Sequence, residues 1–117
     1  MIYLRGHARD YDQWRQIGLH GWGYADVLPY FMPSKSLKGG GDAYHGGEGP
    51  LPVSKASSRN PLYSRFIGAG GQVGHGLTPD FNGYQHKGLG SYQLNIKDGR
   101  RWGAATACLH PPWPVRT

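Results

Sequence analysis

The chain opens on Ile2, Tyr3 and Leu4, apolar residues that favour extended backbone and predict a strand from the first positions onward. Tyr11, Trp14 and Ile17 then recur at every third position, which predicts a short helix over 10–17 with Gly18 as its stop and Trp14 as a core anchor. Tyr24, Val27, Leu28 and Phe31 form the apolar face of a second helix over 24–31. Asp26 suits the positive first turn of that helix, and Pro29 is expected to kink it or end it early.

Periodicity is then lost. The stretch PSKSLKGGGDAYHGGEGPLP, from Pro33 to Pro52, is dominated by turn formers and reads as one long loop. Loops of that length are uncommon unless they are functional or covered by something else. Order returns at Asn60-Pro61, a side-chain cap followed by proline at the first helical position. The helix they start carries Leu62, Phe66, Ala69 and Val73 on one face, and Gly68, Gly70 and Gly71 weaken it by roughly 1 kcal/mol each relative to alanine. Tyr92, Leu94 and Ile96 alternate with polar neighbours, the period of a half-buried strand, and Asp98-Gly99 marks a tight turn after it. A last short helix is expected from Ala104 to Leu109, ended by His110-Pro111-Pro112. The sum is an α+β chain of three or four short helices, one clear strand, one or two weaker ones, and long loops.

Composition narrows this picture. A chain of 117 residues supports one core, and 20 Gly with 9 Pro make that core thin, because glycine orders at a high entropic cost and packs nothing. Eight Tyr and four Trp are too many for a disordered tail. The formal charge of +6 would suit a polyanionic partner, but Lys and Arg stand singly except at Arg100-Arg101, so no nucleic-acid footprint is expected. Cys108 is the sole cysteine; it excludes an intrachain disulfide, reads as a small buried hydrophobe, and makes the cytoplasm the expected compartment. Neither a signal-peptide pattern nor a run of apolar residues long enough for a transmembrane segment is present.

The residues carry no self-contained active site. The six His, at positions 7, 20, 45, 75, 86 and 110, lack the local spacings of a zinc site and read as surface or turn histidines, so no metal ligand is assigned. The glycine clusters at 39–41 and 46–47 are not followed by Lys-Ser or Lys-Thr, and no G-x-G-x-x-G occurs, which makes them turns rather than phosphate cradles. There is no G-x-S-x-G elbow for a nucleophilic serine. Glu48 is the only glutamate and none of the six Asp stands out, so no catalytic residue is assigned.

The order of segments is more telling than any one motif. MIYLRGHARDYDQW, GWGYADVLPYF, DAYHGGEGPLPVS, NPLYSRFIGAG, DFNGYQHKGLGSYQLNIKDGRR and AATACLHP follow one another as in the glucose-methanol-choline (GMC) family of flavin oxidoreductases, which the chain resembles from Met1 to about residue 111. The resemblance is to the choline dehydrogenase-like branch. Met1, Tyr3, Arg5, Gly6 and Asp12 match the second half of that family's first signature, which implies that Met1 is an internal methionine. The glycine-serine half of the signature, and the Rossmann turn that holds the ADP part of FAD, are expected upstream.

The resemblance implies an FAD-dependent enzyme that oxidises choline or another primary alcohol to an aldehyde, with hydride passing to the flavin and a histidine taking the hydroxyl proton. It places that histidine beyond this chain, so the isolated chain is expected to be inactive. By the same resemblance, residues 1–57 are the flavin-proximal helical and loop part, with Met1 and Ile2 at the edge of the cofactor, and 58–117 hold a helix, a substrate-side strand and the following helix. For the isolated chain, Met1 and Ile2 are expected to be frayed, and Tyr92, Leu94 and Ile96 to be sheet packing rather than ligand contacts. The intact enzyme would meet an alcohol and FAD, and could sit in the cytoplasm or peripherally on a membrane.

The chain also departs from the family pattern. Gly23 and Gly103 stand where relatives cap a helix with Ser, Gly68 and Gly71 where they carry better helix formers, and Cys108 where they carry an aromatic; each change weakens packing. A reading from composition alone remains beside the enzyme: an autonomous basic module whose Tyr, Trp and Arg stack on a sugar or on nucleic acid.

Overall fold

The computed structural model describes residues 1–57 and 60–109. The expectations for His110, Pro111 and Pro112 lie outside those residues. The opening strand is present as β1 (Ile2–Tyr3), and it leads into α1 (Ala8–Gln16). This helix starts two residues earlier than periodicity suggests because His7 caps it. The His7 ring accepts the Arg9 N–H at 3.0 Å, while the Asp10 carboxylate accepts the His7 N–H at 3.1 Å.

The second helix, α2 (Tyr24–Ser34), runs through Pro29 and Pro33 instead of ending at the first. Each proline removes one amide donor. Aromatic packing outweighs that loss: Tyr11 of α1 meets Tyr24 at 6.1 Å and Phe31 at 5.9 Å between ring centroids. Trp14 is no core anchor, being 41% exposed, and it makes edge contacts with Tyr11 and Trp22 on the surface of this aromatic group.

The expected long loop contains strand. Immediately after α2, β2 (Lys35–Leu37) pairs in parallel with β3 (Leu51–Lys55), matching Lys35 with Leu51 and Leu37 with Val53. The glycine-rich segment between them is the crossover. The 92–96 strand is also not one element: β4 (Gln93–Leu94) pairs antiparallel with both β1 and β3, and Asn95 breaks it from β5 (Ile96–Lys97). β5 forms a hairpin with β6 (Arg100–Arg101), closed by Asp98 and Gly99 at φ of 51° and 73°, the left-handed pair that a two-residue turn demands. The main sheet thus runs β1-β4-β3-β2.

Between the sheet strands, α3 (Pro61–Gln72) begins as expected, with Asn60 accepting the Leu62 N–H at 3.0 Å. Its glycines are not equivalent. A Cβ on Gly70 would fall 1.8 Å from Leu89 Cδ1, whereas one on Gly68 would meet nothing within 4 Å. Gly68→Ala should therefore stabilise the chain by about 1 kcal/mol, whereas Gly70→Ala must displace the Leu89 side chain and should gain less, a difference readable in parallel urea melts. The last helix, α4 (Ala104–Cys108), starts at Gly103 with no side-chain cap, and Cys108 at its end is exposed rather than buried.

The α+β class holds, but the core is thinner than expected. Among the described residues, Val53, Phe81 and Ala107 are the buried apolar ones, while Arg5, Lys35, His45, Thr78, Asn82 and Gln93 are buried and polar. The radius of gyration is 16.8 Å, against roughly 13 Å for a compact domain of this length. Leu62 and Phe66 on α3, and Val73 at its C-terminal cap, are each at least two-thirds exposed.

Candidate functional site

Ile2 lies on the outer strand of the sheet with Met1 just before it, and both are more than half exposed, as is Leu4. They are not frayed. Ile2 pairs with Leu94 and Tyr3 with Gln93, and Met1 O accepts the Asn95 N–H at 3.0 Å. The result is a short apolar ledge with its outer side unpaired by any strand among the described residues.

Behind this ledge is a buried polar cluster that holds it in place. Asn82, fully buried in the 81–83 turn, accepts the Arg5 N–H on Oδ1 at 2.8 Å and donates from Nδ2 to Tyr3 O at 3.0 Å. The Asn82 carbonyl in turn accepts from the Arg5 guanidinium, which also donates to Tyr44 O at 2.9 Å. Gln93 of β4 joins this group, its Oε1 accepting from Asn82 at 3.1 Å and its Nε2 donating to Asp80 Oδ1 at 2.9 Å. His45 completes the cluster: Nδ1 is 2.8 Å from Asp42 Oδ1, Nε2 is 2.8 Å from Asp80 Oδ2, and Gln93 Nε2 is 3.1 Å from the same ring nitrogen.

Electrostatics around the cluster are uneven. Burial opposes the charge on Asp42, but the hydrogen bonds from the Tyr44 N–H and the His45 ring prevail and lower its carboxyl below the usual range. Burial pushes the Tyr3 hydroxyl up, with Arg5 working against that shift. Lys35 has the least favourable setting. Its side chain is fully buried, its Nζ has no hydrogen-bond partner, and it lies 4.7 Å from the centre of the Tyr3 ring. Burial first, and then the neighbouring Arg5 cation, bring its amine down to about 8. Arg5 Nε is likewise buried and unpartnered.

His45 also forms one wall of an open cleft of about 580 Å³, shared with Met32, Pro33, Asp42, Glu48 and the 46–49 glycines. It is therefore neither a surface nor a plain turn histidine. Sequence reasoning passed over His45, Asp80, Asn82 and Gln93 because each meets partners far away in the chain. Gln93 was visible only as the polar member of an alternation, and the structure turns that member inward. No group of three or more His, Cys, Asp and Glu among the described residues is arranged to hold a metal ion.

The described residues fit one part of a flavin and not another. An exposed apolar ledge of Met1, Ile2 and Leu4, fixed from behind by hydrogen bonds, suits the rim of a flat ring system. Nothing in the 39–49 glycine segment opens a helix that could cradle a diphosphate; it connects two strands.

Residues 1–114 match the family described as GMC oxidoreductase. The oxygen-dependent choline dehydrogenase of Brucella anthropi is 46% identical over 111 residues, covering 95% of this chain and 20% of that protein. The mitochondrial choline dehydrogenase of Homo sapiens is 45% identical over 111 residues, covering 95% of this chain and 19% of its own length. Among solved structures, pyridoxine 4-oxidase from Mesorbium loti superposes with a TM-score of 0.85 at 37% identity, over 95% of this chain and 22% of that one. The chain spans about a fifth of the length of the curated relatives it matches. No described helix is long and apolar enough to cross a membrane. A match to the family along almost the whole sequence, together with the superposed fold, establishes that this chain belongs to the GMC oxidoreductase family.

Proposed function

We propose that these residues serve an FAD-dependent oxidation of a primary alcohol, choline or a close analogue, to the aldehyde. The observation that carries this reading is the 46% identity with an oxygen-dependent choline dehydrogenase along 95% of the chain. FAD, when bound, supplies the hydride acceptor. The chain's own part is positional. Met1 and Ile2 border the cofactor from the edge of the sheet, residues 1–57 form the flavin-proximal part, and 58–117 lie toward the substrate. In this reading the proton of the alcohol goes to a base outside these 117 residues. His45 is kept for structure, since both of its ring nitrogens already face carboxylate oxygens. The 117 residues alone are accordingly inactive.

A segment exchange tests the proposal. This chain replaces the matching 111 residues of the Brucella anthropi relative, and the purified chimera is scanned for protein-bound flavin absorbance. The expected result is stoichiometric flavin. A chimera that melts cooperatively yet takes up none would contradict the reading.

A further inference from the structure

We propose that Asn82 is a positioning residue for the flavin edge, its side-chain amide prolonging the β4 ladder along β1 beyond the end of β4. The inference rests on the reading of Met1 and Ile2 as cofactor neighbours. A strand backbone offers its neighbour one acceptor and one donor, and the Asn82 side chain offers β1 the same pair. Oδ1 takes the Arg5 N–H at 2.8 Å, and Nδ2 gives to Tyr3 O at 3.0 Å. Asn82 is fully buried, so water cannot take over either bond if the amide is removed.

The amide is itself fixed from three directions. The Asn82 N–H donates to Asp80 Oδ1 at 2.8 Å, Gln93 Oε1 accepts from Nδ2, and the Arg5 guanidinium binds the Asn82 carbonyl. Arg5 thus contacts Asn82 through both its backbone and its side chain, tying the β1–α1 connection to the 80–83 turn. The bonds of the Asn82 amide to Tyr3 O and the Arg5 N–H fall on the β4-facing edge of β1, where Met1 O accepts the Asn95 N–H and the ladder to β4 is only two residues long. A ladder that short leaves the tilt of the strand weakly defined, and the clamp at Tyr3 and Arg5 prolongs it to Arg5. Truncating Asn82 should therefore move the Met1–Ile2 ledge while leaving the β3–β4 pairing intact.

Two measurements on Asn82→Ala test this, with Val53→Ala as a control that loses buried volume on β3 without touching β1. In the 117-residue chain, amide hydrogen exchange should be roughly tenfold or more faster at Arg5 and Asn95 in Asn82→Ala, and unchanged at Ala56, whose N–H donates to Tyr92 O. In the flavin-bound chimera, the flavin absorption maximum should be displaced by Asn82→Ala and not by Val53→Ala. Unchanged protection at Arg5 would overturn the clamp. A flavin band that is unmoved, or moved equally by both variants, would overturn the positioning role. A chimera without flavin removes the functional reading and the positioning role with it, whereas the exchange comparison still decides the clamp.

Discussion

Replacing Lys35 by methionine is expected to stabilise the chain at neutral pH by on the order of 2 kcal/mol. Most substitutions at a fully buried position do the opposite. Lys35 differs because its ammonium is taken out of water, finds no hydrogen-bond partner, and lies near a second buried cation, Arg5, whose Nε is also unpartnered. Methionine keeps the length and flexibility of the stem and discards the charge.

The pH dependence separates this cause from simple packing. The folded amine titrates near 8 and an unfolded lysine near 10.5, so between those values the unfolded chain holds the extra proton. Stability of the wild-type chain should rise with pH across that window, by at most about 3 kcal/mol, and be level below it as far as Lys35 is concerned. In Lys35→Met this rise is absent, so the advantage of the variant should shrink as pH goes from 8 to 10.5. Tyr3, whose hydroxyl burial raises from 10.0, lowers stability as pH passes that value and touches Lys35, so the two proteins are compared between pH 8 and about 9.5. Urea midpoints at a series of pH values give the answer; a constant difference between variant and wild type would mean that charge is not the cause. Lys35→Glu is an informative companion, since a carboxylate beside Arg5 exchanges repulsion for attraction.

The second large effect is at Gly46. A Cβ there would lie 1.7 Å from Met32 O and 2.8 Å from Lys35 O, both backbone atoms that cannot turn aside. Gly46 O also accepts the Leu37 N–H at 2.9 Å, so the glycine segment is bolted to the junction of α2 and β2. Gly46→Ala should therefore cost roughly 3 kcal/mol or more and open the cleft beside His45. Gly68→Ala, the same chemical change in open space, is the natural control. Equal stability of Gly46→Ala and wild type in urea melts would show that the loop is not packed against Met32.

These two sites show where reading a sequence succeeds and where it stops. Asn60-Pro61 and Asp98-Gly99 announce a helix start and a hairpin turn through chemistry contained in neighbouring residues, and both occur as expected. The β2–β3 pair was missed because parallel pairing depends on a partner that lies beyond a glycine-rich crossover, and Pro52 inside β3 argues against a strand. The alternation at 92–96 was legible, but its inward face was not. The polar cluster draws Gln93 inside, and Tyr92 instead stacks on Phe81 at 4.8 Å near the surface. The contact between Asn82 and Tyr3 spans 79 positions. No local pattern marks it. The ordered blocks that identify the GMC oxidoreductase family were legible because they depend on succession along the chain rather than on contact in space.

The central claim, that this segment works at the edge of a flavin that accepts hydride from an alcohol, is tested most directly by anaerobic reduction of the flavin-bound chimera. Choline, mixed with the enzyme in the absence of oxygen, is predicted to bleach the flavin band near-completely, with the Met1–Ile2 ledge in place. A chimera that holds flavin but is bleached by a chemical reductant and by no primary alcohol would contradict the account.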